Sequence, residues 1–235
     1  DEKKSVFSSD KPLTDPAQDR FSRDKFAKMV ATSIVEMDPE DGFVIGLYGK
    51  WGTGKTTLLN FVRHHLEQYP KKKQPIIIEF NPWWFSGEGN LTWHFLNHFS
   101  ATLAGRNRKF YKAAARRIRS IADLLAIAPI TGADIPQRLA GHLLDLDDAS
   151  ISNLKELVEK ELNESHRKIL FIIDDIDRLT ADEIRELFRT MKAIANFPKV
   201  AYLVAFDDDV VAKALEDVQG KGISGRDYLE KIVQV

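Results

Sequence analysis

The sequence predicts an α/β protein in three layers, with helices on both faces of a mostly parallel sheet and a helical insertion ahead of the third strand. Three observations lead there. Four short apolar runs, at residues 43–48, 75–80, 168–173 and 199–206, are rich in β-branched and aromatic side chains, as strands buried on both faces are. Helical periods separate them, and strands alternating with helices favour a parallel sheet. The stretch between the second and third runs has helical spacing over far more residues than a crossover connection requires, which makes it an insertion.

Residues 1–42 form a lead-in and a first helix. The chain opens on Asp1 rather than Met, and 1–9 are polar and charged, so a fragment without a signal or transit segment is expected. Residues 43–90 come next. Phe43 to Tyr48 is a strand running into a glycine-rich turn, after which Leu58, Leu59, Phe61, Val62, Leu66 and Tyr69 recur at helical spacing until Pro70 and the lysines 71–73 stop the helix. The run 75–80 is the second strand.

The insertion spans 91–166. Leu91, Phe95, Phe99 and Leu103 make one apolar stripe, and Ile151, Leu154, Val158 and Leu162 another. Pro129, Gly132, Pro136 and Gly141 interrupt the pattern between them. Residues 167–218 hold the third and fourth strands. Thr180 with Glu183 is a capping-box pattern that opens a helix through Ile184, Leu187, Phe188, Met191 and Ile194. Residues 219–235 begin a further helical segment.

Composition narrows the function classes. Hydrophobic residues make up 43% of the chain, enough for a core. With 34 basic and 35 acidic residues there is no global field to attract nucleic acid or membrane, so such binding would need a local cluster. The absence of cysteine removes disulfides, thiolate chemistry and cysteine-bound zinc, and suits a reducing, cytoplasmic setting. No run approaches the about 18 apolar residues of a membrane helix. The best, 121–135, is broken by Asp123, Pro129 and Asp134.

Gly49-Lys50-Trp51-Gly52-Thr53-Gly54-Lys55-Thr56 satisfies G-x-x-x-x-G-K-[ST] in full. Its glycines let the backbone curl into a nest of N–H groups at a helix N-terminus, which suits a phosphate. Gly49, Trp51, Gly52, Thr53, Gly54, Lys55, Thr56 and Thr57 are the candidate nucleotide-binding residues, with Lys55 reaching the β- and γ-phosphates and Thr56 coordinating magnesium. A chance match in a chain of this length is expected on the order of one time in a hundred. Its place between a strand and a helix argues further against chance, and the fold class becomes that of a P-loop NTPase.

The partner half of such a site is an apolar strand ending in an acid. Ile169 to Ile173 followed by Asp174-Asp175 fits. Asp174 is the candidate metal ligand with Thr56, and Asp175 the candidate base, with Lys55 in the catalytic set. For Asp175 a plain loop acid is the competing reading. Arg178 is read as paired with a nearby carboxylate, and Asp207 either as a polar group near the γ-phosphate or as an ordinary acid at a helix start. Guanine-selective P-loop proteins usually carry N-K-x-D, which is absent here, so ATP with Mg2+ is the expected ligand.

These residues resemble the KAP family of P-loop NTPases. GLYGKWGTGKTTLL (46–59) is similar to its tryptophan-bearing loop, EFNPWWFSGEGNL (79–91) to its aromatic segment, and FIIDDIDRL (171–179) to its acidic strand end. DRFSRDKFA (19–27) and RDYLEKIVQV (226–235) are weaker echoes of its lead-in and of a helix beyond the sheet. The resemblance implies a switch-like ATPase of the additional-strand type, related to signalling NTPases and to phage-exclusion proteins, with helical segments after Val235. Many members carry transmembrane helices in the insertion, whereas no apolar run in this sequence is long enough for one. Asn81, Trp83 and Trp84 match the aromatic segment, and packing of the insertion against the core is their expected role.

Residues 106–120 carry seven basic side chains and no acid. Lys109, Lys112, Arg116 and Arg119 share one helical face, and Phe110, Ala114, Ile118 and Ile121 another. A solvated helix competes here with a nucleic-acid or anionic-lipid contact over 106–119. The leading function is an ATP-hydrolysing switch that self-associates or takes a protein partner. The alternatives are a nucleotide-binding scaffold without turnover and a small-molecule kinase.

Overall fold

The computed structural model describes residues 11–37, 42–127, 148–216 and 224–233. The interrupted stretch around Pro129 to Gly141, and residues 219–223, lie outside them. Four strands, β1 (Phe43–Tyr48), β2 (Ile76–Phe80), β3 (Ile169–Ile173) and β4 (Val200–Phe206), form one sheet in the order β1-β4-β3-β2. Every pairing is parallel, with Phe43 opposite Ala201, Ile169 opposite Val200 and Ile76 opposite Ile169. Three of the strands begin one residue later than the apolar runs.

Strand order and helix placement follow from one rule. The chain travels from β1 across to β2 with α2 (Lys55–Gln68) on one face, then returns through β3 to β4 with its helices on the other face. A path that reverses direction must also change faces if every parallel crossover is right-handed. The return leaves β4 lying between the glycine-loop strand and the acidic strand.

Alternation along the strands feeds two cores. Leu170, Ile172, Ala201, Leu203 and Ala205 pack against α1 (Arg23–Glu36) and α2. Ile169, Phe171, Ile173, Tyr202 and Val204 meet α3 (Leu91–Ala104) and α6 (Ala181–Arg189). Aromatic rings fill this second core: Phe95 stacks on Phe171 at 4.7 Å, and Phe171 on Tyr202 at 5.3 Å. Each buried ring contributes about 1.5–3 kcal/mol through the area it removes from water.

The insertion is not a separate body among the described residues. Its first helix, α3, lies directly on the sheet, with Phe95 and Phe99 against Phe171. Helix α4 (Lys109–Ile127) packs outside α3, and α5 (Asp148–Asn163) packs on α4. Ala114, Ile118 and Ile121 of α4 are buried, while Lys109, Lys112, Arg116 and Arg119 are exposed, so the two faces read from spacing are the two faces observed. Arg106 and Arg108 precede the helix in the turn after α3. None of the helices among the described residues is long and apolar enough to cross a membrane.

The capping box at Thr180 forms as its spacing predicts. The helix it opens does not run evenly to Ile194, however. From Thr190 it widens into a π turn closed by the Ala195 N–H on the Thr190 carbonyl at 2.8 Å. Helices α7 (Asp208–Ala214) and α8 (Gly225–Ile232) complete the fold. They cross so closely that a Cβ on Gly225 would lie 1.7 Å from the Ala212 carbonyl oxygen.

Candidate nucleotide site

The carboxyl ends of β1, β3 and β4 open on one edge of the sheet, where ligands of open parallel sheets bind. The loop after β1 is pinned to the sheet by the Gly49 N–H, which donates to Phe206 at 3.1 Å. Gly52 and Gly54 have φ of 81° and 87°, a region that side chains rarely tolerate. Gly49 is required for space, since a Cβ there would approach Thr53 Oγ1 to 2.6 Å. The turn delivers the chain into α2, whose first N–H groups have no helical acceptor.

Lys55 folds back over this loop. Its Nζ donates to the Gly49 carbonyl at 2.7 Å and pairs with Asp177 at 3.2 Å, with both side chains about one-tenth exposed. Thr56 Oγ1 donates to Asp174 Oδ2 at 2.6 Å, and the Asp175 N–H donates to Asp174 Oδ1 at 2.9 Å. Burial pushes the Asp174 carboxyl above the usual carboxylate range. The hydrogen bonds from Thr56 and Asp175 pull the other way, and the charges of Asp175 and Asp177 add to the rise. A half-buried carboxylate with a hydroxyl beside it and two more acids around it is an oxygen-only donor set, which suits a hard cation such as magnesium.

Asp175 occupies the turn beyond the strand with φ of 60°, an uncommon conformation for a residue with a side chain. Both of its oxygens are engaged. Asn81 Nδ2 donates to Oδ2 at 2.9 Å, and Arg178 Nε pairs with Oδ1 at 2.7 Å. The Arg178 guanidinium also lies 5.0 Å over the Trp83 ring. The structure thus brings Lys55, Thr56, Asp174 and Asp175 to one place. Trp51 stands out at the loop crown, 81% exposed. Thr57 turns inward, its hydroxyl accepting from the Leu13 N–H at 3.1 Å, which leaves its backbone N–H as the group able to meet a phosphate.

Several contacts were out of reach of the sequence. Asn81 holds Asp175 rather than the insertion, and Trp83 and Trp84 are 47% and 72% exposed. The packing role expected of them falls to Phe85, stacked between Phe80 and His94. Arg23 Nη2 donates to the Thr53 carbonyl at 2.9 Å, tying the lead-in to the loop. Asp207 caps α7 through the Asp209 N–H, while Asp208 and Asp209 pair with Arg226. On the basic helix, Arg117 pairs with Glu161, and Arg119 is spent on Asp123, Asn97 and the Trp93 ring.

The aromatic segment is fastened by Glu183, whose carboxylate accepts from the Gly87 N–H at 2.7 Å, Ser86 Oγ at 2.9 Å and both the N–H and hydroxyl of Thr180. Burial alone would raise this carboxyl. The four donors outweigh it and hold Glu183 below its ordinary value of 4.5. A lowered acid contributes its stability above the unfolded pKa and loses it as pH falls through the folded one. Glu183→Ala is therefore expected to cost about 1–2 kcal/mol at pH 7. In urea unfolding, the gap to the wild-type chain should close as the solution is acidified below the ordinary carboxylate range.

A glycine nest with an inward lysine after β1, facing acids at the end of β3 with one strand between them, defines a P-loop nucleotide-binding domain. The chain belongs to the KAP family, whose P-loop domain matches residues 23–235. It is similar to the phage T7 exclusion protein of Escherichia coli (strain K12), at 25% identity over a 255-residue alignment. That alignment covers 96% of this chain and 34% of the relative, so the chain spans about a third of the relative's length.

Proposed function

We propose that this chain is a magnesium-dependent, ATP-hydrolysing switch module of a larger protein, serving a phage-exclusion type of defence. The observation that carries the reading is the convergence of Lys55, Thr56, Asp174 and Asp175 on the open edge between β1 and β3. Lys55 and the loop N–H groups would hold the phosphates, and Thr56 with Asp174 would hold the metal. Magnesium, when bound there, neutralises phosphate charge and polarises the bond to the leaving group. Asp175 would take a proton from water as the water oxygen attacks the γ-phosphorus and the bond to the β-phosphate oxygen breaks.

A switch reading is supported by the pair between Lys55 and Asp177, because bound phosphate would compete with Asp177 for Lys55 and so couple nucleotide to the turn after β3. The relative's name supports the defence context. The test is phosphate release from ATP by the purified chain with magnesium, with EDTA, and in Lys55→Ala. Release that depends on both magnesium and Lys55 is expected. ATP that binds through Lys55 with no release, alone or at high protein concentration, would instead identify a nucleotide-held scaffold.

A further inference from the structure

The triphosphate has a direction in this site. The acids Asp174, Asp175 and Asp177 all lie on the β3 side of the loop, where the metal and the reacting γ-phosphate belong. The sugar and base must then leave the nest on the side away from β3. On the loop side formed by Gly49, Thr53, Gly54 and Lys55, a cavity of about 410 Å³ opens, within the size range of small-molecule pockets. Its remaining wall is mainly apolar: Phe21, Phe26, Leu47, Tyr48 and Leu58, with Ser22 and Arg23 as its polar members.

This wall is built and held, although much of it faces solvent. Phe21, Phe26 and Tyr48 are 73%, 45% and 51% exposed, an unusual concentration of aromatic surface around one opening. The turn that presents Phe21 is fixed by Asp19, whose carboxylate accepts from the N–H groups of Phe21 and Asp24. Ser22 then takes a left-handed φ of 58°, and its hydroxyl does not cap the helix. Arg23 covers the Phe21 ring at 4.7 Å while its Nη2 reaches the Thr53 carbonyl. It lies so near Gly54 that a Cβ there would come within 2.8 Å of Nη2. Arg23 thus joins the aromatic wall directly to the phosphate loop, and Asp24 pairs with His65 of α2 beside it.

We infer that this cavity takes the nucleobase, and that it holds the base by its faces rather than by reading its edges. The inference rests on the nucleotide-site reading above. The wall away from the loop presents the aromatic rings of Phe21, Phe26 and Tyr48, and its one charged side chain, Arg23, is engaged with the Thr53 carbonyl and the Phe21 ring. Aromatic faces stack on any base and are tolerant of its identity. Phe21 and Phe26 are accordingly positions that set affinity for the base without discriminating adenine from guanine.

The test is calorimetric titration of the chain, with magnesium, by ATP, GTP and inorganic tripolyphosphate, in the wild type and in Phe21→Ala and Phe26→Ala. Both rings are exposed enough that the variants should fold, which a thermal melt checks. Each variant is expected to weaken ATP and GTP by a similar factor, roughly tenfold, and to leave tripolyphosphate unchanged. Equal losses for tripolyphosphate and ATP, or no loss for any ligand, would overturn the base assignment while the phosphate site stands. A loss confined to ATP would overturn recognition by faces. A wild-type chain that binds none of the three would overturn the nucleotide reading and this one with it.

Discussion

Asp175→Asn is expected to lower phosphate release from ATP by two to four orders of magnitude, on the order of what a positioned general base supplies, and to leave ATP affinity within a few-fold. The substitution is close to isosteric. Its remaining oxygen can still accept from Asn81 Nδ2, the contact made at 2.9 Å by the carboxylate. What it loses is basicity and the pair with Arg178, and that pair is partly solvent-exposed, so little stability goes with it. Lys55, Thr56 and Asp174, which would hold the phosphates and metal, are untouched. Phosphate release and calorimetric binding, measured on the same preparation, separate the two effects. A fall in turnover of less than tenfold would mean that Asp175 is not the base. A parallel loss of binding would mean that it holds the loop in shape.

The parts of this site that were legible in the sequence are those written in consecutive residues. Gly49 to Thr56 needs its neighbours on the chain and little else, and Asp174 follows directly from the buried run before it. The contacts that complete the site are of another kind. Lys55 to Asp177 joins residues 122 apart, Asn81 to Asp175 joins residues 94 apart, and Arg23 to Thr53 joins residues 30 apart. Asn81 meets Asp175 because β2 pairs with β3 in a register that sets Phe80 beside Ile173, and no local pattern states that register. The same limit explains the aromatic segment. Asn-Pro-Trp-Trp-Phe suggests packing, but which of its rings turns inward depends on the short 3-10 turn from Pro82 to Phe85, and the answer is Phe85. The stripes on α3 and α4 were visible as periodicity. That α3 rests on the sheet and α4 on α3 was not, because an apolar face does not name what covers it.

Asp174→Asn is expected to abolish magnesium-dependent nucleotide binding and, in the absence of ligand, to raise the melting temperature by a few degrees. The two effects have one cause. Burial makes the Asp174 carboxylate costly, and the negative charges of Asp175 and Asp177 make it costlier, so without a cation the folded chain carries a penalty. An amide removes the charge and keeps an oxygen for the Asp175 N–H, while Thr56 can accept from its NH2 instead of donating to the carboxylate. The pH dependence has a definite sign. A carboxyl whose folded pKa is raised gains stability as pH falls through that folded value, so the advantage of the variant should be full above the folded value and vanish toward the ordinary value of 3.8. Magnesium and ATP at about a hundred times the dissociation constant should stabilise the wild-type chain by about 2.7 kcal/mol and the variant by much less. The melting curves would then cross over, with the variant higher without ligand and the wild type higher with it. A variant that melts lower than wild type in both conditions would show that Asp174 serves the fold through Thr56 and the Asp175 turn, and that the metal ligand must be sought elsewhere on the edge between β1 and β3.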